Sequence, residues 1–463
     1  MPAQTLDQPL RWPLLVVPTN RDESTSKDAK LVNGYVEKDP LGDYFIYKRP
    51  GLSQYSQPSG TTGTGGGIYN WKGNIYSVVG NTLYKDTTSK GTVDTSGGVY
   101  RFDSCLGATP KLILGNGVKA YTYDDAGGLV QITDVDFPAA FVKGWAYLDG
   151  TTYVMKSNAN IQGDAINDPT SWDPINVIVA QIEPDGGVAM AKQLIYAVAL
   201  KQWSAEVFYD AGNAAGSPLG PVPAAKANYG CISADSVQDL DGALFWICTN
   251  KNADAQVMKM ENLSTSIIST SAVDRLLDGC DFSVVYSFTL KHEGHHWYGV
   301  TMKNSNLTLV YDTATGMWSQ WADTSGNYIP IVSSTFVTSS RAVLQHESNG
   351  RLYYMDAQHL TDDGSLFSVD IVTPNFDAGV DRRKQLNMLR FWADAVPGSV
   401  LNVRCSDDDY QSWSNFRNVD FSKKRPFLTN CGTFYRRAYH LRHRCNTTFR
   451  IRAMDLQLDI GTL

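Results

Sequence analysis

Residues His292-Glu293-Gly294-His295-His296 satisfy H-E-x-x-H, the pattern in which two histidines hold a zinc ion and the glutamate acts as base. That chemistry needs a helix. Only a helix sets i and i+4 on one face, about 6 Å apart, so that both imidazoles reach one metal. Here Gly294 interrupts the motif, and the flanks "VVYSFTL" and "HWYGVTM" alternate β-branched and aromatic residues. Extended backbone would part the outer histidines by about 13 Å. A turn at Glu293-Gly294 would break the helical geometry in another way. The local pattern predicts a β-turn entering a strand at 295–300, and three histidines without a metal.

Other candidates for chemistry also read as structure. "CSDDDYQSW" (405–413) resembles the Asp-box S-x-D-x-G-x-x-W at Ser406, Asp408 and Trp413, with Tyr410 in place of the glycine. Such a box is a turn in which carboxylate and hydroxyl bond backbone N–H groups. "GTTGTGGG" (60–67) lacks the spacing and the strand–helix setting of a nucleotide loop and reads as a connector. A glycosidase needs two carboxylates about 5–10 Å apart. The acids here gather in turns, as at Asp124-Asp125, Asp362-Asp363 and 407–409, where no pairing is legible. No catalytic, cofactor-binding or metal-ligating residue is assigned, and the expected class is not an enzyme.

The elements that would carry such residues are strands. With 24 Tyr, 11 Trp and 39 Gly in 463 residues, the composition suits strands and tight turns more than helices. "GIYNWKGNIYSVVGNTLYKD" (67–86) alternates around Lys72-Gly73-Asn74 and turns again at Gly80-Asn81. Similar pieces recur about every 40–50 residues up to 365, the period of a four-stranded propeller blade. "LVYDTATGMWSQW" (309–321) reads as the end of a kelch-type blade, with a turn at 313–316 and a tryptophan filling the wedge between blades. "SAVDRLLDGCD" (271–281) could form a short helix with Ser271 as N-cap and Gly279 as stop, and 211–225 reads as a Gly/Pro/Ala loop. After 370, period-two segments suggest an antiparallel β-sandwich or platform. The expected fold is all-β: a β-propeller of six or seven blades with a C-terminal sandwich. Its parts are an N-terminal extended segment (1–60), the propeller (61–369) and a basic β-platform (370–463).

Charge divides the chain at the same place. Residues 370–463 hold 15 Lys/Arg and 10 Asp/Glu, a net of +5, so the remainder carries −7 − 5 = −12. From Phe421 to Arg452 there are nine Lys/Arg and no acid. Arg425, Arg436, Arg437, Arg442 and Arg444 are the candidate partner-binding residues. An acidic protein neighbour is favoured over direct phosphate binding. Seven scattered cysteines without C-x-x-C read as free thiols, and neither a signal peptide nor a run of 18 apolar residues is present. Membrane insertion is not expected.

Several stretches, in order, resemble the tail nozzle, or packaged-DNA-stabilisation, proteins of short-tailed bacteriophages. They are "LVNGYVEKDPLGDYFIYKRPGL" (31–52), "NDPTSWDPINVIVAQIEPDGGVAM" (167–190), "WSAEVFYDAGNA" (203–214) running into "YGCISADSVQDLDGALFW" (229–246), and "EGHHWYGVTMKNSNLTLVYDTATGMWSQW" (293–321). The sequence departs at 405–413, where relatives tend to carry Asp-Gly-Gly. The resemblance implies a virion tail protein made in the host bacterial cytoplasm. It implies a ring of copies, a homohexamer, below the portal and its adaptor or connector proteins. Tail fibres or spikes would be further partners. Packaged double-stranded DNA would be retained and conducted through the lumen without sequence-specific contact. On charge, the acidic parts are expected to line the lumen, where a basic lining would grip DNA. The competing expectation is a carbohydrate-binding or depolymerising tail propeller.

Overall fold

The computed structural model describes residues 4–5, 10–14, 29–56, 63–252, 254–338 and 341–461. Parts of the expected N-terminal segment, and residues 60–62 of the Gly/Thr connector, lie outside the described residues. Among the described residues almost every element is a strand, as the alternation requires; the single α-helix is Ser271–Asp278. Thr270, rather than Ser271, is its N-cap and accepts the Val273 N–H at 3.4 Å; Gly279 ends it.

The strands turn tightly because pairs of residues adopt positive φ. Lys72-Gly73 (52° and 79°), Asp241-Gly242 (57° and 77°) and Glu293-Gly294 (47° and 87°) each close a hairpin. Two successive positive φ values match the right-handed twist of the paired strands. The "GTTGTGGG" segment does more than connect. Gly65–Trp71 is the innermost strand of the first blade. A Cβ on Gly65 would lie 2.5 Å from His346 O, and one on Gly67 2.7 Å from Tyr100 O, so neighbouring backbones approach only because the side chains are absent.

Six sheets are separate four-stranded blades, and the first four strands of a nine-stranded sheet make a seventh unit of the ring. In chain order, blades one to five span 65–92, 101–131, 146–179, 187–221 and 238–267. Blade six is the unit at 285–320. Blade seven joins three strands within 331–356 to Gly51–Ser56, so a strand from near the N-terminus closes the circle. Residues 211–225, expected as a loop, include Leu219–Pro221, the outer strand of blade four.

Hydrogen bonds run around the whole ring. Tyr100 N–H donates to Gly66 O (2.7 Å), Met190 N–H to Lys143 O (3.0 Å) and Cys231 N–H to Lys201 O (2.7 Å). Trp145 Nε1–H donates to Arg101 O (3.1 Å) and Gln238 Nε2–H to Ser287 O (3.0 Å). Thr289 N–H reaches Ser334 Oγ (2.8 Å), and Asn70 N–H reaches Thr335 Oγ1 (2.9 Å) and completes the circuit. Trp318 and Trp321, from the kelch-like segment, are buried, and Trp318 donates to Ile268 O of the preceding blade.

The C-terminal part is two packed sheets. The nine-stranded sheet continues from blade six through Lys30–Val32, Val369–Val372, Ala438–His443, Val400–Ser406 and Arg417–Asp420. The facing sheet is built on Lys384–Ala393 and Arg450–Ile460, flanked by Tyr44–Lys48 and Gly34–Lys38. Leu31, Ile371, Phe391, Leu401, Leu441 and Ile451 are among the side chains buried between them. Residues 30–48 therefore pair with C-terminal strands, and the chain enters the propeller only at Gly51.

Arg49 sits at that crossing and is fully buried. Its guanidinium meets Asp362 twice, at 3.0 and 2.6 Å. It also donates to Asn33 Oδ1 (2.9 Å), Pro50 O (2.9 Å) and Ala322 O (3.1 Å), and it lies 3.9 Å from the Phe367 ring. Next to it, burial and then the Arg49 charge push the Lys48 ammonium down to about 8. A Cβ on Gly51 would lie 2.1 Å from Thr361 O. Arg49→Ala strands a buried carboxylate, and should destabilise the chain by about 3–5 kcal/mol in denaturant unfolding. Arg49→Lys should recover only part of this, because an ammonium cannot reproduce the planar fork.

Candidate functional site

The histidine motif forms a hairpin tip. His292 and His295 face each other across the Glu293-Gly294 turn. His295 Nδ1–H donates to Asp312 Oδ2 at 2.6 Å, and Asp312 also accepts the Thr315 hydroxyl at 3.0 Å. His296 pairs instead with Asp241 of blade five, at 2.5 Å. The three imidazoles thus serve different partners, and no group of three or more metal-ligating side chains occurs among the described residues.

The Asp-box-like loop does form the predicted turn. Asp408 accepts from Ser406 Oγ (2.8 Å), Ser412 N–H (2.9 Å) and Ser412 Oγ (2.5 Å), and Ser406 Oγ accepts the Tyr410 N–H (2.9 Å). The Ser412 and Ser406 bonds hold the Asp408 carboxyl at about 2. Asp409 and Tyr410 take φ of 59° and 65°, the conformation that glycine would adopt freely. The turn aims its flanking acids at the arginine-rich strand.

The five arginines assigned to a partner are not equivalent. Arg425 and Arg444 are exposed. Arg436 is exposed but paired with Asp409. Arg437 corrects the expectation. It is 3% exposed, binds Asp407 at 2.6 and 2.8 Å, donates to Cys431 O at 2.6 Å and packs over Phe434. It is a structural tie, because the acidic loop folds back over it. Arg442 is half-exposed and donates to Asp370 Oδ1 at 2.6 Å.

Sequence reasoning missed the centre of this face, Arg404. It lies opposite His440, two residue pairs along from Asn402–Arg442, on adjacent strands. Arg404 Nε–H donates to His440 Nδ1 (3.0 Å), and His440 Nε2–H donates to Asp370 Oδ1 (2.6 Å). The Arg404 guanidinium lies 5.0 Å from Trp413 and 4.6 Å from Phe416, with Arg442 5.3 Å from Phe416. Arg442 thus meets the Asp370 carboxylate directly, whereas Arg404 reaches it only through His440. Burial, and then Arg442, lower the basicity of Arg404. Burial alone would raise the Asp370 carboxyl, but bonds from His440, Ser368 and Arg442 outweigh it and hold it at about 2. The available signal was the alternation of "SVLNVRCS", which sets Asn402 and Arg404 on one face. Arg404 precedes the acid-free stretch 421–452, so charge per segment does not single it out.

The interior of the ring is crossed by a second charged group. The 3-10 turn Ala234–Ser236 brings Asp235 to Lys143 at 2.6 Å and to Arg101 at 3.7 Å. Arg101 also donates to Ala234 O (3.0 Å), and Tyr298 OH of blade six donates to Ser236 O (2.7 Å). Residues of blades two and six so meet the segments that lead into blades three and five across the interior. A cavity of about 290 Å³ remains on one side and one of about 410 Å³ on the other.

A family model described as Phage_stabilise, Bacteriophage P22 Gp10, beta-propeller, matches residues 30–359. No curated protein sequence matches the chain. Similar solved structures include a streptogramin B lyase (10% identity, 66% of this chain and 97% of that chain, TM-score 0.44). Another is the extracellular domain of a hybrid two-component system from B. thetaiotaomicron (12% identity, 86% and 58%, TM-score 0.45). A third is a chain of the mitotic checkpoint complex (11% identity, 73% and 99%, TM-score 0.42).

The Asp370 cluster sets a pH dependence. A carboxyl held at about 2 in the fold, against an ordinary 3.8, stabilises the fold fully above about pH 4. That contribution disappears as pH falls towards 2. Burial lowers the His440 pKa, which acts with the same sign, weakening the fold as pH falls below the ordinary 6.5. Asp370→Asn should flatten the fall in unfolding free energy between pH 4 and 2, measured by denaturant titration at each pH.

Proposed function

The chain belongs to the Phage_stabilise family, that of the β-propeller of bacteriophage P22 Gp10, and is a structural protein of a phage tail; from that premise we propose that it forms the distal nozzle of a short tail, closing the portal–adaptor channel to retain packaged DNA and conducting that DNA at infection. The family match over 330 consecutive residues (359 − 30 + 1) carries the reading. It resides, on this proposal, in the virion tail after synthesis in the host cytoplasm. Its neighbours are other copies, the adaptor or connector proteins below the portal, and tail fibres or spikes.

The obstructed interior bears on how DNA would pass. A single propeller with Asp235, Lys143 and Arg101 joined across it has no opening for a duplex. The conduit must then lie between copies, each propeller serving as a wall segment of a ring, which we take to be a homohexamer. The acid excess of the body suits that wall, since carboxylates facing phosphates repel them and let the duplex slide.

We read the chain as non-enzymatic. A depolymerase would need two carboxylates disposed about a sugar-sized cleft. Among the described residues, the two interior cavities present one each: Asp239 on one side, and Asp235, held by Lys143, on the other.

Electron microscopy of the purified chain should display a ring with a duplex-wide opening, and virions should contain the chain at the tail tip. A monomer absent from particles would overturn the proposal, and capsule cleavage by the purified chain would replace it with the depolymerase reading. A labelled duplex should bind only weakly at physiological salt, read as a band shift.

A further inference from the structure

The two charged ends of this molecule lie on opposite sides of it. The basic sheet extends from blade six. Counting round the ring from blade six through seven and one reaches blade two in three steps; counting through five and four reaches blade three in three steps. The boundary between blades two and three is therefore diametrically across from the origin of the basic sheet.

At that boundary a peripheral loop at 134–137 is tied to the outer strand of blade three at 172–175, and together they make one knuckle. Gln162 Nε2–H donates to both Asp136 O (2.8 Å) and Asp173 O (3.2 Å). Trp172 N–H donates to Asp134 Oδ2 (3.2 Å), and the Phe137 ring packs on Trp172. The knuckle presents Val135 at 93% exposure and Ile175 at 71%. Around these apolar tips stand Asp134, Asp136 and Asp173, none of which makes an ion pair with the described residues. A loop braced on an outer strand, holding bare aliphatic side chains between carboxylates, has the composition of an interface without its partner.

The opposite face has the complementary chemistry. Arg442 takes the carboxylate Asp370, while Arg404 bonds only the His440 imidazole and has no carboxylate partner among the described residues, which leaves its positive charge uncompensated; Phe416 and Trp413 lie beside them. We propose that a second copy of this chain docks its 134–137/172–175 knuckle on the Arg404–Arg442 face, with Asp136 and Asp173 meeting the guanidiniums and Val135 and Ile175 meeting the aromatic rings. This rests on the ring reading above and names the surfaces that build the ring. One chain cannot satisfy both patches with itself, because they lie across its diameter. Joining copies head to tail satisfies every patch and closes into a ring where the rotation permits.

A nucleic acid fits this face less well. The carboxylates of Asp407 and Asp409 border the site and would repel an extended phosphate backbone.

The test is a charge swap on the purified full-length chain, read as mass by light scattering. Wild type should associate, and association should weaken as salt rises. Arg404→Glu with Arg442→Glu should weaken it at least tenfold, as should Asp136→Lys with Asp173→Lys. All four substitutions together should restore it. Thermal melting checks that each variant is folded; the knuckle pair, on a surface loop and an outer strand, provides an independent arm should the arginine pair not fold. A wild-type monomer at the highest soluble concentration, unchanged association of either folded pair, or no restoration in the folded swap overturns the inference. Loss of duplex binding in the arginine pair, with mass unchanged, also overturns it by giving the face to nucleic acid. A chain found at the tail tip whose mass ignores the swap sinks this pairing and leaves the tail reading standing; a chain missing from particles does the reverse.

Discussion

Arg49 and Asp362 hold together the two halves that make this molecule. The chain lays down strands of the C-terminal sandwich at 30–48 and then closes the propeller with Gly51–Ser56. Both structures need the backbone to cross between them within two residues. Pro50 has no N–H to satisfy, and Gly51 admits the Thr361 carbonyl where a side chain would collide. A buried guanidinium at such a crossing would be costly alone. Asp362, Asn33 and two carbonyls supply acceptors for its donors, and the Phe367 ring covers its face. Ring closure and sandwich assembly are consequently one event: neither can loosen at this point without exposing the charge of the other.

A similar sorting decides which charges can act outside the chain. An arginine whose donors are all used within the fold contributes geometry, whatever its place in a basic stretch. Arg437 belongs there, tied to Asp407 and Cys431, while Arg442 takes Asp370 and Arg404 bonds only the His440 imidazole, which keeps a surplus of charge. Net charge per segment is blind to this difference. The +5 of residues 370–463 already counts the acidic loop 407–409, whose Asp407 and Asp409 are spent on Arg437 and Arg436.

What could be read from residues alone follows the range of the interactions. The Glu293-Gly294 turn was legible because a hairpin depends on two residues and their flanks. The Asp-box-like turn was legible for the same reason, despite Tyr410. The kelch-like tryptophans were legible because a blade edge leaves a local signature. The closing strand at 51–56 was not, since its partner is about 300 residues away and nothing nearby encodes the pairing. The N-terminal strands of the sandwich and the tie of Arg437 to Asp407 were hidden likewise. Arg404 was hidden for a different reason: its surplus charge exists only once His440 and Arg442 arrive from another strand to share Asp370.

A propeller with an obstructed interior is an unusual choice for a conduit if the conduit is sought inside one chain. It is a natural one if each chain is a wall. Interior contacts brace the disc across its centre, and hydrogen bonds link each blade to the next around it. A wall segment must also carry load between two opposite faces rather than round a central site. In this chain the unpartnered acidic–apolar knuckle and the surplus guanidinium stand at the two ends of a diameter. Charge separated across a rigid disc favours end-to-end association over collapse of one chain upon itself, because the span between the ends cannot shorten. The rigidity that obstructs the interior of one copy is thus what would let several copies enclose a wider one.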